Sequence, residues 1–165
     1  MSGDETTRIW DEPCEENLYL QEHISRLLKS FAHWTGKSLI ETDIPPAEQA
    51  RRLFYAPFVL LSHNTAPDPI LNYANREGLT LFQLTWEELV ILPSRKTAEP
   101  SEQAERSRLL AIVSRQGYVD DYRGTRLTKS GRRFMIEQAT VWNLLNDNGA
   151  FYGQAAMFRH WKFLD

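Results

Sequence analysis

The sequence predicts an α+β fold in which a five-stranded antiparallel sheet carries helices on one face and follows a helical extension. Short apolar runs that suit buried strands occur at residues 58–62 and 70–73. Apolar residues then recur mostly at helical spacing up to residue 116. Three strand-like stretches follow and are joined only by turn signals, so they are predicted to pair as an antiparallel meander.

The N-terminal part of the chain is predicted to be an appendage of this sheet. Residues 1–13 are polar and acidic without a period, which predicts a flexible tail. Apolar residues at helical spacing predict an amphipathic helix over residues 15–35, and Gly36 suits its end. Pro45–Pro46 favours the start of a second, short helix. Residues 14–57 therefore form a predicted helical extension, whose apolar stripe either pairs between the protomers of a homodimer or covers the chain's own sheet.

The predicted domain proper covers residues 58–165 and begins with two short strands and two short helices. Asn75 lies at the polar break after the second strand, where a short side chain can bond the nearby backbone. The segment Thr85–Glu88 has the pattern of a capping box, in which the hydroxyl and the carboxylate each accept a backbone amide. A loop at residues 92–100 leads into a long helix over about residues 102–116.

The last part of the chain supplies the predicted meander. Residues 118–123 alternate with period two, and Ser130–Gly131 marks a tight turn. The run at residues 132–145 is long enough for a full strand, and Asn146–Gly149 is a strong hairpin signal. The last strand is predicted at residues 151–161, which completes the count of five.

Length, charge and cysteine content restrict the classes of function. A chain of 165 residues fits one domain with a real core. The net charge of -3 argues against a sequence-independent nucleic-acid binder, so no direct nucleic-acid partner is expected. No apolar run spans a bilayer and no secretory leader pattern is present, so no membrane partner is expected. Cys14 is the only cysteine, which excludes an internal disulfide and favours a cytoplasmic location.

Four segments between Phe58 and Trp161 carry a resemblance to a known family. They are FVLLSH (58–63), DPILNYANREGL (68–79), LPSRKTAEP (92–100) and RRFMIEQATVWNLL (132–145). Together they resemble the MEKHLA domain, a PAS-like family. Its members include stand-alone bacterial proteins and the C-terminal part of plant class III homeodomain–leucine zipper proteins, and this chain is similar to the stand-alone bacterial type. The resemblance implies a PAS-like five-stranded sheet with a sensory or regulatory role.

A curved sheet with helices over one face commonly leaves a cavity, and ligand pockets are mostly apolar with a few placed polar groups. Along the predicted strand at residues 132–145, Gln138 and Thr140 lie between Ile136 and Trp142 on one face. The full set on that face is Phe134, Ile136, Gln138, Thr140, Trp142 and Leu144. If that face points inward, the two polar side chains need partners that a ligand or trapped water supplies. The alternative is that the face points outward, or that the polar groups satisfy each other across the sheet.

Two further features indicate ligand contacts, and each has a structural alternative. The aromatic rings of the domain could stack on a flat cofactor such as a flavin, although rings of this kind usually fill a core. Arg95 in the loop at residues 92–100 could clamp an anionic group with its guanidinium fork, or it pairs locally within a connector. The predicted pocket residues are Phe82, Trp86, Arg95, Ile112, Phe134, Gln138, Thr140 and Trp142.

The resemblance also restricts the cofactors. Photoactive flavin-binding PAS domains carry a cysteine on the helix beside the flavin, whereas Cys14 lies outside the domain, so a covalent flavin is disfavoured. Haem-binding members usually supply a histidine from the long helix, and residues 101–116 contain none, so haem is disfavoured as well. A non-covalent flavin or a small metabolite stays possible. No metal-ligand spacing and no convergent catalytic set is present, so an enzyme is not expected.

The sequence therefore predicts a non-enzymatic sensory or regulatory module that binds a small molecule non-covalently. Its ligand would favour one packing of the long helix against the sheet, and the N-terminal helix or a partner would respond to that change. Because the chain contains no recognisable output domain, a partner signalling protein is expected to receive the signal. The alternative is a ligand-free homodimerisation or protein-interaction domain.

Overall fold

The structure is a computed structural model that describes residues 8–164, so residues 1–7 of the predicted tail lie outside the described part. The helices are α1 (Gln21–Thr35), α2 (Pro46–Phe54), α3 (Arg76–Phe82), α4 (Trp86–Leu89) and α5 (Gln103–Gln116). The strands are β1 (Val59–His63), β2 (Leu71–Ala74), β3 (Tyr118–Leu127), β4 (Arg133–Leu145), β5 (Phe151–Phe158) and β6 (His160–Phe163). Short 3-10 helices occupy Glu15–Leu20, Ser94–Thr97 and Pro100–Glu102. No helix among these residues is long and apolar enough to cross a bilayer.

The sheet has the strand order β2-β1-β5-β4-β3, and every neighbouring pair is antiparallel. The predicted antiparallel α+β fold is confirmed, with one strand more than expected. The pairs Thr140↔Met157 and Phe134↔Phe163 lie in the same antiparallel register. The stretch predicted as one last strand therefore runs continuously alongside β4, but an interruption at Arg159 separates it into β5 and β6.

A left-handed residue in β4 changes the expected alternation of faces. Gln138 has φ 54°, is exposed, and lies between the part of β4 that pairs with β6 and the part that pairs with β5. Phe134 and Ile136, before it, belong to the core beneath α5, whereas Trp142, after it, belongs to the core beneath α1. The five residues 134, 136, 138, 140 and 142 therefore do not share one face.

The helical extension covers the sheet face opposite to α5. The apolar stripe of α1, formed by Ile24, Leu27 and Phe31, is buried against this face. The ring of Phe31 lies 4.9 Å from that of Trp142 at an edge-on angle, and Trp142 Nε1 donates to the Leu27 carbonyl at 3.3 Å. Of the two roles left open for the stripe, the structure shows it covering the chain's own sheet.

The first helix begins later than the apolar spacing predicts. Leu18, Tyr19 and Leu20 have φ values of 54°, 54° and 59°, so regular α-helix starts only at Gln21. The predicted end at Gly36 is confirmed, because Gly36 has φ 71° and donates its amide to the Ala32 carbonyl. Upstream, the Trp10 carbonyl accepts Trp86 Nε1 at 2.9 Å, so this part of the predicted tail packs on the domain.

The predicted capping box at the start of α4 is confirmed and offers a direct test. Thr85 Oγ1 accepts the Glu88 amide at 3.1 Å, and Glu88 Oε1 accepts the Thr85 amide at 3.0 Å. We expect Thr85→Ala to lower the free energy of unfolding by about 1 kcal/mol, because two helix-terminal amides lose their fixed arrangement. Urea denaturation measures the change. Thr80→Ala, on the exposed surface of α3, is the control, and an equal loss in both variants would contradict a capping role.

Candidate ligand cavity

A small cavity of about 60 Å³ lies between the sheet and α5. Its apolar wall is formed by side chains of α3, α5 and four strands, including Phe82, Leu109 and Ile136. Polar side chains from several elements also reach it. They are Ser62, His63, Ser94, Thr97, Arg106, Tyr122, Arg126 and Gln154. A mostly apolar space with convergent polar groups is the usual form of a small-molecule site.

Two buried arginines line the cavity. Arg106, near the start of α5, and Arg126, near the end of β3, are each 8% exposed. Arg106 Nη2 donates to Ser94 Oγ at 2.8 Å, and Arg126 Nη1 donates to the Thr125 carbonyl at 2.8 Å. Burial, together with the positive charge of Arg126, lowers the pKa of Arg106 to about 10. Arg106 therefore carries positive charge at neutral pH in a weakly solvated place, and Arg126 places a second guanidinium there.

Tyr122 connects Arg126 with the first turn of α5. Its hydroxyl donates to Glu105 Oε1 at 3.0 Å and accepts from Arg126 Nη2 at 3.3 Å. The ring of Tyr122 lies over Gly124, where any Cβ atom would collide with it. The register of β3 against β4 shifts on each side of Tyr122. The glycine and the irregular strand thus allow the phenol to lie beside the cavity.

His63, the last residue of β1, presents an unpartnered nitrogen to this region. The side chain is 7% exposed, and burial lowers its pKa to about 4, so it is neutral. Its Nδ1 lies 3.0 Å from the Asn64 carbonyl, which assigns the proton to Nδ1 and leaves Nε2 as an acceptor. Within residues 8–164, Nε2 has no hydrogen-bond partner. Such a buried acceptor favours a ligand or water that donates a hydrogen bond to it.

A hydrogen-bond network leads from the cavity to α1. Gln154 Nε2 donates to Asn143 Oδ1 at 3.0 Å and to the Leu110 carbonyl of α5 at 3.2 Å. Asn143 Nδ2 donates to the Val113 carbonyl at 3.0 Å. Toward α1, the main-chain carbonyl of Asn143 accepts a hydrogen bond from Trp34 Nε1 at 2.9 Å. One residue of β4 therefore contacts both the long helix and the N-terminal helix.

The loop LPSRKTAEP faces the cavity with its serine and threonine rather than with its cation. Ser94 and Thr97 are buried and line the cavity. Arg95 is exposed, and its Nε lies 3.2 Å from both carboxylate oxygens of Asp68. Glu99 pairs with Arg133 at 2.6 Å. Arg95 and Glu99 therefore pair with residues outside the loop rather than with each other, and the cations beside the cavity come from α5 and β3.

The structure places the eight predicted pocket residues in several surroundings. Phe82 lines the cavity, and Phe134 packs on it with ring centroids 5.3 Å apart. Trp86 and Trp142 lie in the core beneath α1. Thr140 Oγ1 donates to Asp120 Oδ1 at 2.8 Å. Of the other three, Ile112 is half-buried, whereas Gln138 and Arg95 are exposed. None of these three lines the cavity.

Sequence reasoning missed the polar residues that do line the cavity, above all His63, Arg106, Arg126 and Gln154. One signal was available for Arg106. It lies three residues before Leu109 and seven before Val113, on the buried stripe of α5. Arg126 had no such signal, because its position depends on the irregular register of β3.

Solved structures with the same architecture define the class of fold. A PAS domain from Colwellia psychrerythraea aligns with a TM-score of 0.58 at 18% identity, covering 67% of this chain and 91% of that one. A light-oxygen-voltage domain studied with a flavin analogue aligns with a TM-score of 0.56 at 16% identity, covering 72% and 85%. The strand order, the helices between β2 and β3 and these alignments identify a PAS-like fold.

The chain belongs to the MEKHLA domain family, whose sequence model matches residues 21–163. The homeobox–leucine zipper protein ATHB-14 of Arabidopsis thaliana is 34% identical over 154 residues, which is 90% of this chain and 18% of that protein. The chain thus spans less than a fifth of the length of the curated relatives that it matches. The relatives are plant homeobox–leucine zipper proteins rather than enzymes.

One expectation from charge and composition is wrong. The acidic net charge led us to exclude a direct nucleic-acid partner, yet the matched relatives are homeobox–leucine zipper transcription factors, which bind DNA. The net charge of one domain does not indicate what a protein containing such a domain binds, because a separate basic module can supply that contact.

Proposed function

We propose that this MEKHLA domain is a sensory module that binds a small molecule non-covalently between the sheet and α5 and signals through protein–protein contacts. The observation that carries the proposal is the cavity itself, with His63 Nε2 unpartnered among the described residues and two arginines in its wall. An unpaired acceptor and buried charges are costly in a core that only needs to be stable. The proposal also includes a non-enzymatic role, a cytoplasmic location and the stand-alone bacterial type.

The signal would leave the cavity through the residues that join α5 to α1. A ligand that contacts Gln154 favours one position of this side chain, and Asn143 connects that side chain with the Trp34 indole. A ligand shifts such an equilibrium only by its differential affinity for the two arrangements. Altered packing of α1 would then change the surface offered to a partner.

The size of the cavity limits what binds there. A volume of about 60 Å³ is far below the few hundred Å³ typical of sites for drug-sized ligands, so an isoalloxazine ring does not fit this packing. Cys14 does not line the cavity either. These residues do not fit a flavin, and the ligand class favoured here is a small metabolite.

Two measurements test the proposal: one identifies a bound small molecule, and the other follows the response of α1 to it. We expect mass spectrometry of the supernatant of denatured protein to find a small molecule, and the protein to lack absorbance between 350 and 500 nm. Returning that molecule to ligand-free protein should slow amide hydrogen exchange in α1. Asn143→Ala should weaken this response in α1, whereas Asn148→Ala, in the exposed hairpin turn, should leave it intact. A protein with no ligand and unchanged exchange in α1 would instead favour the ligand-free homodimerisation domain.

A further inference from the structure

The cavity holds more positive charge than its walls neutralise. Within the described residues, neither Arg106 nor Arg126 forms an ion pair with a carboxylate. The acidic groups nearest in the network are occupied elsewhere, since Glu105 accepts the Tyr122 hydroxyl and Asp68 pairs with Arg95. A buried charge without a counter-charge is costly. An anion in the cavity would remove that cost.

The free hydrogen-bonding capacity of the arginines matches a carboxylate. Arg106 uses Nη2 on Ser94, and Arg126 uses Nη1 on the Thr125 carbonyl and Nη2 on the Tyr122 hydroxyl. A guanidinium has more N–H groups than these contacts use. Carboxylate oxygens accept such donors in pairs, with greater strength than neutral acceptors.

The rest of the cavity sets the size and character of the ligand. A volume of about 60 Å³ corresponds to about four to six non-hydrogen atoms, if one water-sized sphere occupies 10–15 Å³. The wall away from the arginines is apolar, with Leu109, Ile136 and Val141 among its residues. The unpartnered Nε2 of His63 can accept a hydrogen bond, which favours a ligand that also carries a hydroxyl.

We propose that the cavity binds a short-chain carboxylate, whose carboxylate group is held by Arg106 and Arg126 and whose hydroxyl group donates to His63 Nε2. The inference rests on the proposed function, because it names the ligand class of the same cavity. Sites for larger acids or for cofactors require more room than this cavity has.

Isothermal titration calorimetry at constant ionic strength tests the proposal with four probes: propionate, lactate, propionamide and inorganic phosphate. We expect saturable binding of propionate and several-fold tighter binding of lactate, because only lactate has a hydroxyl for His63. Propionamide has nearly the same shape without the charge, so it should bind at least about tenfold more weakly. Equal affinity for propionamide and propionate, tighter binding of phosphate than of propionate, or no binding of either carboxylate would overturn the proposal.

Substitutions locate the binding. Arg106→Met and Arg126→Met should each weaken lactate binding by at least about tenfold, because one charged partner is lost. Replacing a buried charge by an apolar side chain is commonly neutral or stabilising, and near-ultraviolet circular dichroism checks that both variants fold. Arg95→Met, which removes an exposed arginine outside the cavity, should bind as the unaltered chain does. If a folded variant lacking both buried arginines retains full affinity, the assignment is wrong.

The two proposals fail in different ways. A neutral ligand recovered from the denatured protein would overturn the carboxylate assignment and leave the sensory role intact. Carboxylate binding with unchanged hydrogen exchange in α1 would support the assignment and count against signalling through that helix.

Discussion

Replacing Asn75 with aspartate is expected to destabilise the domain by about 4 kcal/mol, although the two side chains have the same shape. Asn75 is fully buried between β2 and α3. Its Oδ1 accepts the amides of Leu60 and Gly78 at 3.1 Å each. Its Nδ2 donates to the carbonyls of Leu53 and Phe58 at 3.1 and 2.7 Å. An aspartate oxygen in place of Nδ2 would face two carbonyl oxygens and would have to be protonated or leave both unpaired.

The measurement is urea denaturation of the Asn75→Asp variant beside Asn75→Ala and a control, Asn148→Ala. The alanine variant should lose about 3 kcal/mol, because four backbone groups, in α2, at the start of β1 and in α3, lose their partner. Asn148 is exposed, so its replacement should change little. A loss under 1 kcal/mol in both Asn75 variants would show that these hydrogen bonds are not what holds α2, β1 and α3 together.

Acid is expected to destabilise the domain well before its carboxylates are protonated. Burial lowers the pKa of His23 to about 3 and that of His63 to about 4, from an unfolded value near 6.5. Both rings are neutral in the fold, so their stabilising contribution is complete above pH 6.5. As the pH falls below 6.5, only the unfolded chain gains these protons, and stability is lost until the folded pKa is reached. Between pH 6.5 and 4.5 the two histidines together account for a loss on the order of 5 kcal/mol.

Chemical denaturation across this pH range measures the effect. His23→Gln should remove about one of the protons taken up on unfolding near pH 5.5. His33→Gln, which replaces an exposed imidazole on α1, is the control variant. The lowered pKa values of Glu48 and Glu88 act at lower pH, below their ordinary value of 4.5, and so do not mask the histidines. A flat profile between pH 6.5 and 5 would contradict the buried neutral state of both rings.

The features that the sequence predicted correctly depend on residues that lie close together along the chain. The capping box at Thr85, the helix end at Gly36 and the break at Asn75 each depend on residues within a few positions, and the structure confirms the first two as predicted. Asn75 caps α3 by accepting the Gly78 amide. The meander of the last strands was predictable for the same reason, because the residues of its turns mark where each strand ends.

The composition of the cavity depended on information that no local pattern holds. Gln138 adopts a left-handed conformation without being glycine, so nothing in the sequence showed that the faces of β4 exchange there. That exchange moves Trp142 to the core beneath α1 and places Asn143 toward α5. Arg106 and Arg126 lie on different elements, α5 and β3, and both line the cavity, with two register shifts in β3 before Arg126.

The two terminal strands of the sheet order are poor templates for a further strand. Beside β2, Leu71 donates its amide to the Leu92 carbonyl at 3.0 Å, and Ile70 bridges to Pro93, so backbone groups on that edge are already paired. At the other end, β3 is interrupted twice in register and carries exposed charges at Asp120, Asp121 and Arg123. Strand addition and edge-to-edge aggregation are thereby opposed at both ends. A protein that recognises the β2 or β3 end of this domain is therefore expected to do so through side-chain surfaces, such as those of the helices, rather than by β-augmentation.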